Sequence, residues 1–309
     1  MNIVWLEADS LIVPLPRPSF PHQWTEHPYT TAVDTASRIA DADIVILNKV
    51  KLGEEELAHA PKLKLVAITA TGMDNVDVKA CKARGIEVKN VVNYGPQSVA
   101  EHAFACLLQL VRRVPEWQAK VHDGSWSESR FFCMHTYPMR SLNEMTLGIL
   151  GSGAIGQTLA GYGRGFGMKV LQIERRGAAT VREGYVAFEE GFATCDAISL
   201  HCPLNDDTRG LVSDEVLGMM KPGSILINTA RGALVQFDAL RRALESGHLH
   251  GAALDVLEKE PPPKDHPMIQ WQHPRCIVTP HIAWGTHQSQ SNMARLVLKN
   301  LENFVSPVV

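Results

Sequence analysis

The stretch from Thr146 to Arg176, TLGILGSGAIGQTLAGYGRGFGMKVLQIERR, leaves few folds open to the chain. Thr146 to Leu150 is a short apolar run that suits a buried parallel strand. Gly151, Gly153 and Gly156 follow at G-x-G-x-x-G spacing, Gln157 to Phe166 suits a helix, and Lys169 to Ile173 reads as a second strand ending on Glu174. The first glycine permits a tight turn, the second lets a pyrophosphate approach the backbone, and the third lets the helix pack closely on the sheet. Unpaired amides at the helix start face the anion. Glu174 lies about 20 residues past the glycines, where a carboxylate accepts hydrogen bonds from an adenosine ribose. A glycine triplet alone is equally a close-packing loop. Strand, helix and acid in this order make it a dinucleotide site.

At 309 residues the chain is long enough for two domains, each with its own core. Asn2 to Leu6, Ala42 to Asn48, Lys64 to Thr69 and Ile86 to Val91 read as strands, with Thr35 to Ala40, Glu54 to Ala60 and Cys81 to Arg84 helical between them. That alternation implies a parallel sheet with helices on both faces. Pro14 to Pro28 holds five prolines and reads as largely loop. This first unit has no phosphate-type glycine loop of its own. Ala197 to His201, Ser224 to Asn228, His250 to Val256 and Cys276 to Val278 complete a six- or seven-stranded doubly wound sheet around the glycine loop.

Ser98 to Arg112 is apolar at helical spacing and reads as a core or interface helix, with Ser98 as N-cap, Glu101 as capping-box partner and His102 as a structural histidine. Trp117 to Arg140 is aromatic-rich and irregular, suited to folding against a second subunit or lying on the surface as a loop. A last helix from about Gln288 to Phe304 returns the chain to the first unit. The expected fold class is α/β: two doubly wound parallel-sheet domains, a Rossmann nucleotide domain (99–281) and a flavodoxin-like substrate domain (1–98 and 282–309), with a cleft between them.

Composition removes several function classes. A net charge of −3 gives no reason to expect nucleic acid or an anionic membrane as partner. No apolar run approaches the ~18 residues of a membrane span, and the opening MNIVWLEADS, with Glu7 and Asp9, argues against a signal peptide. Six cysteines without a C-x-x-C pair fit reduced thiols in a cytoplasmic setting. Thirteen histidines show neither H-x-x-x-H nor H-E-x-x-H spacing, so no metal is expected.

Ligands of open α/β sheets bind beyond the carboxyl ends of the strands. Arg231 follows SILIN in NTARGALV, Glu260 follows Val256 in LDVLEKEPPP, and His281 follows CIV in TPHIAWGT. The three suit reduction of a 2-oxo acid. Arg offers a carboxylate two parallel, permanently charged donors. His donates a proton near neutral pH, and an acid beside it favours the charged ring and selects which nitrogen faces the substrate. Each also has an ordinary role open to it: an ion pair for Arg231, a solvated loop acid for Glu260, a structural ring for His281. Asp255, at the end of its strand, either faces the nicotinamide side of the cleft or caps a helix.

With these residues in view, the chain resembles the D-isomer-specific 2-hydroxyacid dehydrogenases, and within them the bacterial glycerate dehydrogenases, also called hydroxypyruvate reductases. The resemblance covers almost the whole chain and is most specific in LGILGSGAIG, HCPLNDDTRG, INTARGALV, GAALDVLEKEPP and IVTPHIAW. PRPSF, QWTEH, ITATGMDNVD, KARGIEVKNV and FCMHTYP point toward the subgroup. It implies Arg231, Glu260 and His281 as the catalytic trio, with amides near Thr71 and Gly72 helping Arg231 hold the substrate carboxylate. It further implies a cofactor lining of Thr71, Ala154, Ile155, Glu174, Pro203, Thr229, Ala230, Arg231, Asp255, His281 and Trp284, beside the three glycines, and a homodimer with the helix from Ser98 and the following arm at its interface. The family's usual ribose acid is Asp. Glu174 still favours NAD, while Arg175 and Arg176 leave NADP open. The expected reaction is reversible reduction of hydroxypyruvate to D-glycerate, with a broader glyoxylate or 2-oxo acid reductase as one alternative. A NAD-sensing corepressor that shares the fold and the trio is the other.

Overall fold

The computed structural model describes residues 1–306, and in it the chain divides into two compact units: Met1–Gly95 together with the segment from Trp284 onward, and Pro96–Ala283. The first is built on a five-stranded, all-parallel sheet: β1 (Asn2–Trp5), β2 (Gln23–Glu26), β3 (Ile44–Leu47), β4 (Leu65–Ile68) and β5 (Glu87–Lys89), in the order β2-β1-β3-β4-β5. The runs IVIL and LVAI are buried along their whole length because both faces of the sheet are covered. Val45, Leu47, Val66 and Ile68 share one core with Leu57 of α2 (Glu54–Ala58) and Ala80 of α3 (Val78–Ala83), and with Ile39 of α1 (Ala32–Ile39). Ile44, Ile46, Leu65 and Ala67 share the other with Met293, Ala294, Val297 and Leu301 of the C-terminal helix, His287–Val305. The period of two along each strand sorts the side chains between the cores.

β2 corrects the expectation of loop through Pro14 to Pro28. Gln23 to Glu26 is a proline-free run, and it pairs in parallel with β1 at the edge of the sheet, where one flank of hydrogen bonds suffices.

The second unit carries a seven-stranded parallel sheet in the order β12-β11-β10-β9-β6-β7-β8. Its strands are β6 (Thr146–Leu150), β7 (Lys169–Ile173), β8 (Tyr185–Val186), β9 (Ala197–Leu200), β10 (Ser224–Asn228), β11 (Leu249–Leu254) and β12 (Cys276–Val278). α4 (Pro96–Arg112) lays Ala100, Ala103, Phe104, Leu107, Leu110 and Val111 into one core with Leu159 and Ala160 of α6 (Ala154–Gly165). This apolar stripe makes α4 a core helix of its own unit. On the other face, α7 (Phe188–Thr194), α8 (Asp214–Met219) and α9 (Phe237–Glu245) pack against Ile198 and Leu226.

Three local expectations change. α4 begins at Pro96, so Ser98 lies inside the helix instead of capping it; a proline is tolerated in a first turn because its missing N–H has no intrahelical partner to lose. The Ser98 hydroxyl is buried and donates to the Ala283 carbonyl at 2.6 Å. α6 begins at Ala154, not Gln157, because Gly153 occupies the N-cap position. The aromatic stretch is partly regular: α5 (Val114–His122) takes its first residues, and Trp117 meets Tyr137 edge-on at 4.9 Å. Phe131 and Phe132 beyond it stay 73% and 92% exposed. No helix among the described residues is long and apolar enough to cross a membrane.

Candidate active site

β6 has β7 on one side and β9 on the other, so the connections leaving it diverge and open a crevice at the carboxyl ends of β6 and β9. The glycines stand there, each for a different steric reason. Gly151 has φ +107° and lies so near the chain after β9 that a Cβ would fall 2.5 Å from the His201 carbonyl carbon. At Gly156 a Cβ would meet the Gly151 carbonyl oxygen at 2.1 Å, which ties the helix start to the turn. Gly153 faces open space, and α6 has no side chain capping its first turn, so the amides at Ala154, Ile155 and Gly156 are presented at a bare helix start. Nearby chain ends supply further contacts. The Pro203 carbonyl holds the Thr208 hydroxyl at 2.8 Å, and Thr229 carries a buried hydroxyl with no hydrogen-bond partner among the described residues. A bare cradle with an orphaned donor fits a dinucleotide.

Glu174 closes β7 and is buried, its carboxylate gripped by Arg182. Sequence reasoning placed the acid and overlooked its partner, because Arg182 lies in the loop before the two-residue strand β8, which no periodicity announces.

The trio sits on the loops after β10, β11 and β12, which are neighbours in the sheet. After β10, the buried Asn228 bends the chain around itself: its Nδ2 donates to the Arg231 carbonyl at 2.8 Å and its Oδ1 accepts from the Ala230 amide at 3.0 Å. Arg231 leaves this turn with Nη1 donating to the Ala230 carbonyl at 2.8 Å. Gly232 then runs against the loop after β11, where a Cβ would fall 2.0 Å from the Leu257 carbonyl carbon. The arginine loop and the glutamate loop are thus held in register by one missing methyl group.

In the loop after β11, Glu260 Oε1 accepts from the Leu257 amide at 2.8 Å and Oε2 meets His281 Nδ1 at 2.6 Å. His281 is held in the left-handed region, φ +52°, with its amide donating to the Asp255 carbonyl at 2.8 Å. Asp255 anchors this turn. Its buried carboxylate accepts from the Ile282 and Ala283 amides, both at 2.9 Å, and from the Thr279 hydroxyl at 2.6 Å. His102 of α4 reaches the same hydroxyl at 3.0 Å, in keeping with the structural part expected of it. In this arrangement the Asp255 side chain serves the backbone that carries His281.

A second acid pins the glutamate loop. Glu258 meets His266 Nε2 at 2.9 Å while His266 Nδ1 accepts from the Met268 amide at 3.1 Å, so the proton on this buried ring lies toward Glu258. The sequence signal for His266 was the His-Pro pair opening a short helix, α10 (Pro267–Gln270). The other residues expected to bind ligand belong to the first unit. Thr71 donates to the Val91 carbonyl at 2.9 Å beside Gly72, and Trp284 meets Tyr94 edge-on at 6.4 Å.

Residues 104–283 match the sequence profile of the D-isomer-specific 2-hydroxyacid dehydrogenase NAD-binding domain. The chain belongs to that family. It is 37% identical to a glycerate dehydrogenase of Methylorubrum extorquens over 99% of this chain and 96% of that one. To a hydroxypyruvate reductase of Blautia hydrogenotrophica it is 37% identical, covering 90% and 88% of the two chains. A solved D-lactate dehydrogenase of Aquifex aeolicus, complexed with NAD and lactic acid, superposes with a TM-score of 0.78 at 30% identity, over 99% of this chain and 95% of that one. This 2-hydroxyacid dehydrogenase is therefore an oxidoreductase with a NAD-binding Rossmann domain, and the two-domain α/β reading of the sequence stands.

The contact at Gly232 makes a prediction. Gly232→Ala pushes the Leu257–Glu258 backbone away and carries Glu260 with it. Since a displacement of about 1 Å costs on the order of 10²-fold in rate, kcat is expected to fall by about that factor. Cofactor affinity, read by fluorescence titration, is expected to stay within about threefold.

Proposed function

We propose that this dehydrogenase reduces hydroxypyruvate to D-glycerate, reversibly, with His281 as the acid/base. The observation that carries the reading is the 2.6 Å bond between Glu260 Oε2 and His281 Nδ1. With Nδ1 turned to the carboxylate, Nε2 is the nitrogen that exchanges a proton with the substrate, and the carboxylate balances the charge of the imidazolium. When bound, the nicotinamide supplies the hydride that reaches C2. Arg231 binds the substrate carboxylate with its planar fork and orients the adjacent carbonyl. Thr71 and Gly72 are proposed to add backbone donors to the carboxylate, and Trp284, Thr229, Ala230 and Pro203 to line the cofactor. As His281 gives its proton to the forming alkoxide, the Glu260 carboxylate keeps the ring from rotating. Likeness to enzymes named for glycerate and hydroxypyruvate, over most of each chain, supports this substrate. A homodimer belongs to the same proposal, with the bare rings of Phe131 and Phe132 as the surface it would cover.

The test is a panel of 2-oxo acids (hydroxypyruvate, glyoxylate, pyruvate, 2-oxoisocaproate) assayed for oxidation of NADH and NADPH. Hydroxypyruvate is expected to give the highest kcat/KM. A higher value with glyoxylate would reassign the enzyme as a glyoxylate reductase. Tight cofactor binding without turnover of any acid would favour a sensor over an enzyme.

A further inference from the structure

A carboxylate offers about four acceptor positions on its two oxygens. At Glu174 all four are taken from within the chain. Oε1 accepts from the Arg175 amide at 2.9 Å and from Arg182 Nη2 at 3.0 Å. Oε2 accepts from Arg182 Nε at 2.6 Å and, more weakly, from the Arg182 amide at 3.4 Å. The fork-to-carboxylate geometry is the strong, bidentate kind. Hydrogen bonds from Arg182 hold the acid at a pKa of about 2, so it is ionised at neutral pH.

The two partners differ in what they show to solvent. The Glu174 side chain is 4% exposed and that of Arg182 is 56% exposed. The guanidinium lies 4.0 Å over the Tyr185 ring, which fixes its plane. Arg175 beside it is exposed, while Arg176 is turned away to Glu215 at 2.6 Å. The tip of β7 therefore offers cations where the sequence promised an anion.

We propose that Arg182 is a specificity-determining residue of the adenosine site: it withdraws Glu174 from the ribose hydroxyls and presents its guanidinium to a 2′-phosphate, so that NADPH binds at least as tightly as NADH. Glu174 then serves as the anchor of Arg182, and Arg175 is the second cation within the same turn. This rests on the NAD-binding domain alone and is independent of which 2-oxo acid is reduced.

The experiment measures binding to the intact protein by calorimetry, using adenosine 2′,5′-bisphosphate and 5′-AMP, with NADPH and NADH titrated by nicotinamide fluorescence. In the parent protein the bisphosphate is expected to bind about tenfold or more tightly than 5′-AMP, the effect of one charged hydrogen-bond pair. Arg182→Gln is expected to cut that preference at least fivefold, and a smaller change overturns the proposal. Glu174→Gln supplies the second arm. NADH affinity is expected to stay within threefold, because the acid is not the ribose acceptor. A larger loss would return Glu174 to that part and overturn the proposal. Thermal unfolding of both variants confirms that the domain is intact.

Discussion

His281→Ala is expected to lower kcat for 2-oxo acid reduction by ~10²–10⁴-fold, the usual worth of a positioned general acid. The ring is partly exposed and belongs to no core cluster, so its loss leaves the fold in place. Glu260→Gln is expected to cost less, about 10–10²-fold, because the amide retains the shape of the contact and loses its charge. The informative measurement is the pair. In the proposed mechanism Glu260 assists catalysis through the 2.6 Å bond to His281, so the double variant should be no slower than His281→Ala alone. Multiplying effects in steady-state kinetics would show that the two side chains act separately, which contradicts the geometry.

Arg231→Gln is expected to reduce kcat/KM for the 2-oxo acid by about 10²–10³-fold, with most of the loss in KM. Removing one partner of a desolvated charge pair costs roughly 2–5 kcal/mol, and 1.4 kcal/mol is a tenfold change. Glutamine keeps hydrogen-bonding capacity but neither the charge nor the parallel donors. The Asn228 turn that presents residue 231 uses backbone atoms of the loop, so it survives the substitution. Cofactor titration provides the internal control: NADH or NADPH affinity unchanged within about threefold, with substrate saturation lost. Near-normal efficiency in Arg231→Gln would remove the carboxylate clamp from the mechanism.

What could be read from the sequence follows the reach of the interactions. The parallel strands were legible because burial on both faces demands unbroken apolar runs, as in IVIL and SILIN. The glycine cradle was legible because its G-x-G-x-x-G spacing, with a strand before it and a helix after it, lies within a few residues of chain. The trio could be proposed because strand ends are where such sheets bind ligands. Four things lay outside that reach. β2 hid among prolines because an edge strand needs only a short proline-free run. The start of α4 was misplaced because Ser98 has capping chemistry but spends its hydroxyl on Ala283, 185 positions away. Asp255 was legible as a strand-end acid. Its grip on Ile282 and Ala283 was not, since that bond joins the loops of two different strands. Arg182 had no local signature, yet it changes what Glu174 offers a ligand. Local rules found the frame, and contacts across loops tuned the site.

In the proposed reaction hydride reaches C2 of a 2-oxo acid and the proton comes through His281. The direct measurement is reduction of hydroxypyruvate by cofactor dideuterated at C4 of the reduced ring, followed by proton NMR and chiral analysis of the product. Deuterium at C2 of D-glycerate, formed at a rate that collapses in His281→Ala, is the predicted result. Glycerate carrying protium at C2, or of the opposite hand, would contradict it.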